Sequence, residues 1–248
     1  MTWFAQEGRD WPWRATRDRW KILVSEVCLQ QTQVHRAAPY IDRILARFPE
    51  PGALACAPLS ELLELWQGLG YPRRARNLHH AAQQIDADGW PDRYLDLPGV
   101  GPYTDAALRC FADEEAIVPI DINTRRVISR LFPDGAPTPD SVPLVAQHAW
   151  TWGQAVMELG QRTCTARAQC DSCPLAHLCP SHGTDEVIAS APQKRYAGSM
   201  RQRRGDLLRA LLADGYVEVS RDSAAAASLI ADGLCVLDAA RAVLLPPD

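Results

Sequence analysis

Leu97-Pro98-Gly99-Val100-Gly101-Pro102-Tyr103-Thr104, then an apolar run, then Pro119-Ile120-Asp121-Ile122-Asn123, is the stretch whose reading decides the fold. Pro98 and Gly99 end one helix, Gly101 permits a tight turn, and Pro102 suits the first position of the next helix. The pattern is a helix-hairpin-helix. Amides that lead into a helix N-terminus favour an anion, so Gly99, Val100 and Gly101 are the expected contacts to a nucleic-acid backbone. A plain turn between two packed helices has the same pattern, and the hairpin alone does not separate the two readings.

Working outward, Asp121 occupies an N-cap position before a helix that turns Val127, Ile128 and Leu131 inward. The helix dipole keeps such an acid ionised, so a cap and a charge-stabilising catalytic role are compatible. Upstream, residues 20–31 read as a helix that is apolar nearly all round, with Glu26 on or beside its buried face. An acid placed there is partly desolvated, which raises its pKa and suits it to hold a proton; a structural pair with an arginine is the other reading. From 37 to 85, helical patterns alternate with turn signals, which predicts an all-α region of short helices. Within it, Gly70-Tyr71-Pro72-Arg73-Arg74-Ala75-Arg76 sets an aromatic at a turn ahead of arginines. That is either a wedge into a base stack backed by phosphate-holding Arg73 and Arg76, or a core cap beside a solvated face. The N-terminal Trp11-Pro12-Trp13-Arg14 likewise reads as a base-sandwiching arm or as a packing arm.

The 248 residues carry a net charge of -4 and only two lysines, Lys21 and Lys194, so almost all positive charge is arginine. An acidic mean argues only weakly against nucleic acid, because arginine clusters can form a local basic face. No apolar run is long enough to span a membrane and the N-terminus shows no targeting pattern, so a cytoplasmic, nucleoid-associated protein is expected. Late in the chain, Cys164, Cys170, Cys173 and Cys179 lie in a C-x5-C-x2-C-x5-C array. Four thiolates so close together suit zinc or an iron–sulfur cluster; the single short C-x-x-C pair favours a 4Fe–4S cluster. A loop is expected over 132–139. Beyond 190, two helices and a two-strand ribbon predict a small winged-helix-like module, or else a tail packed on the main body.

The hairpin, Asp121, the run Ser25-Glu26-Val27-Cys28-Leu29-Gln30-Gln31-Thr32-Gln33-Val34, Gly68-Leu69-Gly70-Tyr71 and the four cysteines together resemble the MutY-type adenine DNA glycosylases of the helix-hairpin-helix, endonuclease III superfamily. The resemblance covers about residues 8–180. The final fifty or so residues look nothing like the Nudix-like domain of typical members. The resemblance implies an all-α, two-lobed glycosylase: a six-helix barrel over 22–130 and an iron–sulfur cluster domain from 1–21 and 131–190; the small module expected at 191–248 lies beyond it. It implies a monomer that binds double-stranded DNA, flips an adenine mispaired with 8-oxoguanine or guanine, and hydrolyses its N-glycosidic bond. Glu26 then matches the general acid and Asp121 the acid that stabilises the oxocarbenium-like sugar. Tyr103 falls where lyase relatives carry a Schiff-base lysine, which argues against strand cleavage. Trp13, Arg14 and Gln154 match positions that hold the base, Gln31 and Tyr71 residues that enter the stack, and the four cysteines the 4Fe–4S ligands; Asn123 is expected among the substrate-binding residues. The alternatives are a thymine or uracil mismatch glycosylase on the same fold, which Glu26 disfavours, and a non-catalytic iron–sulfur DNA-binding protein.

Overall fold

The structure, a computed structural model, describes residues 2–135, 143–184, 187–189 and 195–248. From 136 on, the loop expected over 132–139 lies outside the described residues. The helices in order are α1 (Thr2–Glu7), α2 (Arg19–Leu29), α3 (Val34–Arg47), α4 (Pro51–Ala55), α5 (Leu59–Trp66), α6 (Arg73–Asp88), α7 (Pro102–Phe111), α8 (Ile122–Leu131), α9 (Pro143–Arg162), α10 (Met200–Asp214) and α11 (Ser223–Ala231). Three short strands, β1 (Val217–Glu218), β2 (Val236–Asp238) and β3 (Val243–Leu245), lie near the C-terminus. Local signals set many of these boundaries. Pro51 and Pro102 stand in the first turn of α4 and α7, and α6 stops at Gly89, whose φ is +80°. The apolar stripe Ala37, Ile41, Ile44 recurs at helical spacing and is the buried face of α3.

The chain clusters into two compact units, Met1–Ile22 with Gly101–Pro192, and Leu23–Val100 with Gln193–Asp248. In the first, α7 and α8 both pack on α9, around a core of Val127, Ile128, Val156 and Leu159. A Cβ on Gly160 would stand 2.5 Å from the Asn123 carbonyl oxygen, so α9 meets the start of α8 backbone to side-chain-free backbone. In the second unit, α6 packs on α4 and α5, and α5 on α3. There α10 buries Leu207, Leu208 and Leu211, and touches α5 and α11.

Two expectations are corrected. Among the described residues, no group of three or more His, Cys, Asp or Glu side chains is placed to hold a metal ion, so the iron–sulfur cluster domain and its four-cysteine ligand set do not stand. All four cysteines are free thiols. Cys164 and Cys173 pack against the apolar core between α8 and α9. The sulfurs of Cys164 and Cys179 are turned to backbone carbonyls of α8, Arg126 at 3.9 Å and Arg130 at 3.6 Å. Arg130 also donates to the Cys164 sulfur at 3.4 Å. Burial chiefly pushes the Cys173 thiol up, with the other three sulfurs near enough to add to it against a backbone hydrogen bond at Leu175. Ligation needs sulfurs converging on one centre, whereas those of Cys164 and Cys179 are turned to carbonyls of α8.

The second correction concerns residues 191–248, where no winged-helix module is identified among the described residues. Residues 193–248 fall in the same compact unit as 23–100. Its strands, two or three residues each, pair antiparallel in the order β1-β3-β2. Sheets this small do not stand alone, and this one leans on α10. Among the described residues, no helix is long and apolar enough to cross a membrane.

Candidate functional site

In the second unit, Glu26 lies on α2 and is 7% exposed, flanked along the helix by fully or nearly fully buried Leu23, Val24, Val27 and Cys28. What holds the end of that helix is Arg74. Its Nη1 donates to the carbonyls of Val27 (2.9 Å), Cys28 (3.0 Å) and Gln30 (2.6 Å), and its Nη2 to those of Gly70 (2.9 Å) and to Thr32 Oγ1 (3.3 Å). A cation there answers the orphan carbonyls and the negative end of the dipole. Burial lowers the Arg74 guanidinium to about 10, which leaves it charged at neutral pH.

The same arginine ties two unusual turns together. Gln31 and Tyr71 both sit at positive φ, +54° and +51°, and the Gly70 and Thr32 atoms that Arg74 holds adjoin them. Gln31 is exposed and Tyr71 half-buried. Arg73 is open to solvent and meets Asp232 at 3.5 Å, a pair too exposed to be worth much. Arg76 is more committed, with hydrogen bonds to the Asp232 carbonyl and to Asn77 Oδ1.

The hairpin starts from one 3-10 turn, Tyr94–Asp96, rather than from a long helix. The Val100 amide donates to Leu97 O at 3.1 Å, and Gly99 takes a φ of +80° with its backbone pressed on Asn77, where a Cβ would come within 2.8 Å. Gln30 Nε2 reaches Gly99 O at 3.4 Å, so the polar run after α2 touches the hairpin. Around Gly101 nothing lies within 4 Å of where a Cβ would be, and no side chain caps α7.

In the first unit, Asp121 is the N-cap of α8: its Oδ1 accepts from the Thr124 amide at 2.7 Å, and its Oδ2 from Asn123 Nδ2 at 2.7 Å. Asn123 Oδ1 accepts in turn from Arg126 (3.1 Å), whose Nε donates to Ile188 O (2.8 Å). Both carboxylate oxygens are aligned by donors, and the anion sits at the positive end of the helix. Tyr103, on α7, donates from its hydroxyl to Met157 Sδ at 3.4 Å. Trp13 stacks on Trp11 with centroids 5.1 Å apart.

Arg14 and Gln154 come together, Gln154 Nε2 donating to Arg14 O at 3.4 Å. The Arg14 guanidinium is held by Glu158, on α9, at 2.8 Å. Glu158 is fully buried and also accepts from Arg9 at 2.6 Å and 3.2 Å. Burial pushes its carboxyl up, but the hydrogen bonds and charges of Arg9 and Arg14 outweigh this and hold it below the ordinary value. Glu158, Arg9 and Arg74 are absent from the sequence-based set. For Arg74 the one signal was its place in the cluster Arg73-Arg74-Ala75-Arg76; Arg9 and Glu158, 149 residues apart, had none.

Residues 24–152 match the family described as HhH-GPD superfamily base excision DNA repair protein. Over 239 residues the chain is 40% identical to the adenine DNA glycosylase of Mycolicibacterium smegmatis, covering 89% of this chain and 81% of that protein. With the adenine DNA glycosylase of Mycobacterium tuberculosis it shares 37% over 234 residues, 86% and 77% of the two chains. A solved thermostable thymine-DNA glycosylase superimposes with a TM-score of 0.61 at 27% identity, over 73% of this chain and 92% of that one. The chain belongs to the HhH-GPD superfamily of base excision DNA repair proteins and, within it, to the adenine DNA glycosylases.

Proposed function

We propose that this protein is a monofunctional glycosylase that removes adenine mispaired with 8-oxoguanine or guanine from duplex DNA by hydrolysing the bond between base and sugar. The observation that carries the reading is the carboxyl of Glu26, withdrawn from water on a helix whose neighbouring Leu23, Val24, Val27 and Cys28 are buried. A carboxyl so placed suits proton donation to a ring nitrogen of a flipped purine. With the ring protonated, the glycosidic bond breaks and its electron pair leaves with the base. The Asp121 carboxylate stabilises the positive charge left on the sugar, and a water adds at the anomeric carbon as its proton passes to the Glu26 carboxylate, which restores the acid. Trp13, Arg14, Asn123 and Gln154 hold the base, Gln31 and Tyr71 fill the stack, and the hairpin turn at Gly99, Val100 and Gly101, with Arg73, holds phosphates, while Arg76 is engaged by the Asp232 carbonyl and Asn77. Tyr103 offers no amine, so the abasic strand is left uncut.

The test is incubation of the full chain with duplexes bearing adenine opposite 8-oxoguanine, guanine or cytosine, and thymine or uracil opposite guanine, followed by alkaline cleavage. Product from the first two adenine duplexes is expected, and only after alkali. Absence of product from every adenine duplex overturns the reading, and product from thymine or uracil opposite guanine instead puts the mismatch pyrimidine reading in its place.

A further inference from the structure

Tyr71 is held more firmly than a surface aromatic needs. Its backbone is left-handed, and Gly68 and Gly70 before it have φ of +93° and +85°. A non-glycine residue keeps such a conformation only where its neighbours over-determine it. Two guanidiniums do so. Arg74 lies 5.6 Å from the ring centroid and Arg201 5.5 Å, and Arg201 Nη1 donates to the Tyr71 hydroxyl at 2.7 Å. Arg201 also sits 5.0 Å from the ring of Tyr196, which is half exposed. The result is a row in which aromatic rings and cations alternate: Tyr196, Arg201, Tyr71, Arg74.

Arg201 is itself fixed. It is the second residue of α10, whose N-cap Ser199 accepts from the Gln202 amide, while the Gln202 side chain accepts from the Gly198 amide at 2.8 Å. The far side of the helix is anchored by buried Leu207, Leu208 and Leu211. A cation supplied 130 residues downstream therefore orients the one aromatic at the Gly70 turn.

We propose that Arg201 is a positioning residue for Tyr71: it fixes the angle and hydroxyl of that ring, so that the C-terminal segment governs how well the ring unstacks DNA beside the target. This rests on the reading of Tyr71 as a residue that enters the base stack. The probe is a duplex with 2-aminopurine next to an adenine opposite 8-oxoguanine, whose fluorescence rises when the step is unstacked. In the full chain, Arg201→Ala is expected to weaken the unstacking equilibrium about tenfold, the worth of one hydrogen bond plus one cation–aromatic contact. Affinity for fully paired DNA is expected to stay within about twofold, because a lost phosphate contact would weaken all duplexes alike. Arg201→Lys keeps the donor without the stacked plane and falls between. In the Tyr71→Phe background, which lacks the acceptor, Arg201→Ala adds less than it does alone.

Unstacking by Arg201→Ala equal to wild type overturns the proposal, as does an equal loss on fully paired DNA. Should Arg201→Ala fail to fold, Arg201→Lys and Tyr71→Phe carry the test, and wild-type unstacking in both overturns it. A wild-type protein that unstacks the probe but releases no adenine sinks the reaction assigned above and leaves Arg201 in place. Normal adenine release with no effect at Arg201 sinks this inference alone.

Discussion

Glu26 and Asp121 are the same functional group in two opposite surroundings. Glu26 lies within a helix, 7% exposed, with Leu23, Val24, Val27 and Cys28 buried around it in sequence. Asp121 lies just ahead of a helix, and both of its oxygens accept hydrogen bonds at 2.7 Å. Glu26 is thus set among apolar side chains of its own helix, whereas Asp121 is held by hydrogen bonds at a helix N-terminus.

The contrast can be broken at either end. Glu26→Gln keeps the shape of the side chain and removes the proton donor; single-turnover base release is expected to fall about 10³–10⁴-fold with DNA affinity retained, and a loss under tenfold removes Glu26 from the role. Asp121→Asn still caps α8 but loses the charge, so a fall of about 10²–10³-fold with little change in thermal stability is expected. If Asp121→Asn instead lowers the melting temperature while the folded protein keeps full specific activity, the acid is a cap and nothing more.

Two smaller effects sharpen the comparison by probing what supports each acid. Arg74→Met strands the carbonyls of Val27, Cys28 and Gln30 at the end of the Glu26 helix, and about 3 kcal/mol should be lost in denaturant titration. Near-wild-type stability would mean that the α2 end closes without it. In the other unit, Glu158→Gln is expected to cost about 1–2 kcal/mol, a buried pair discounted because Arg9 is open to solvent. The Glu158 carboxyl is held below its ordinary 4.5. The stability it contributes is thus fully present above that value and is lost as pH falls through the lower, folded value. Thermal melts taken from pH 7 to pH 3 should show this acid-side loss in wild type and a shallower one in Glu158→Gln.

The elements around these acids were legible because their signals are local. Proline in the first turn of α7, the Asp121 cap and the apolar run of α2 all act within one or two helical turns, and each appears where periodicity and capping put it. The small third strand β1 and the 3-10 turn at Pro12–Arg14 were not legible, because two or three residues carry no period. The cysteine array misled for a different reason. Spacing states how far apart thiols lie along the chain, but not which way their sulfurs turn, and here Cys164 and Cys179 turn to carbonyls of α8. The arginines were legible as a cluster and not as individuals. Arg73 and Arg76 looked like the outward pair, yet the residue between them, Arg74, makes the contacts that hold the site.

By itself, then, the sequence determined the hairpin, the helices that carry Glu26 and Asp121, and membership of the superfamily, since each is written in short-range pattern. Only the tertiary structure decided which guanidinium serves which group: Arg74 the end of α2, Arg9 and Arg14 the buried Glu158, Arg201 the hydroxyl of Tyr71. The physical reason is reach. An arginine spans several ångströms on a flexible stem and bonds to whatever acceptor packing brings near, and those acceptors lie from a few dozen to 149 residues away along the chain.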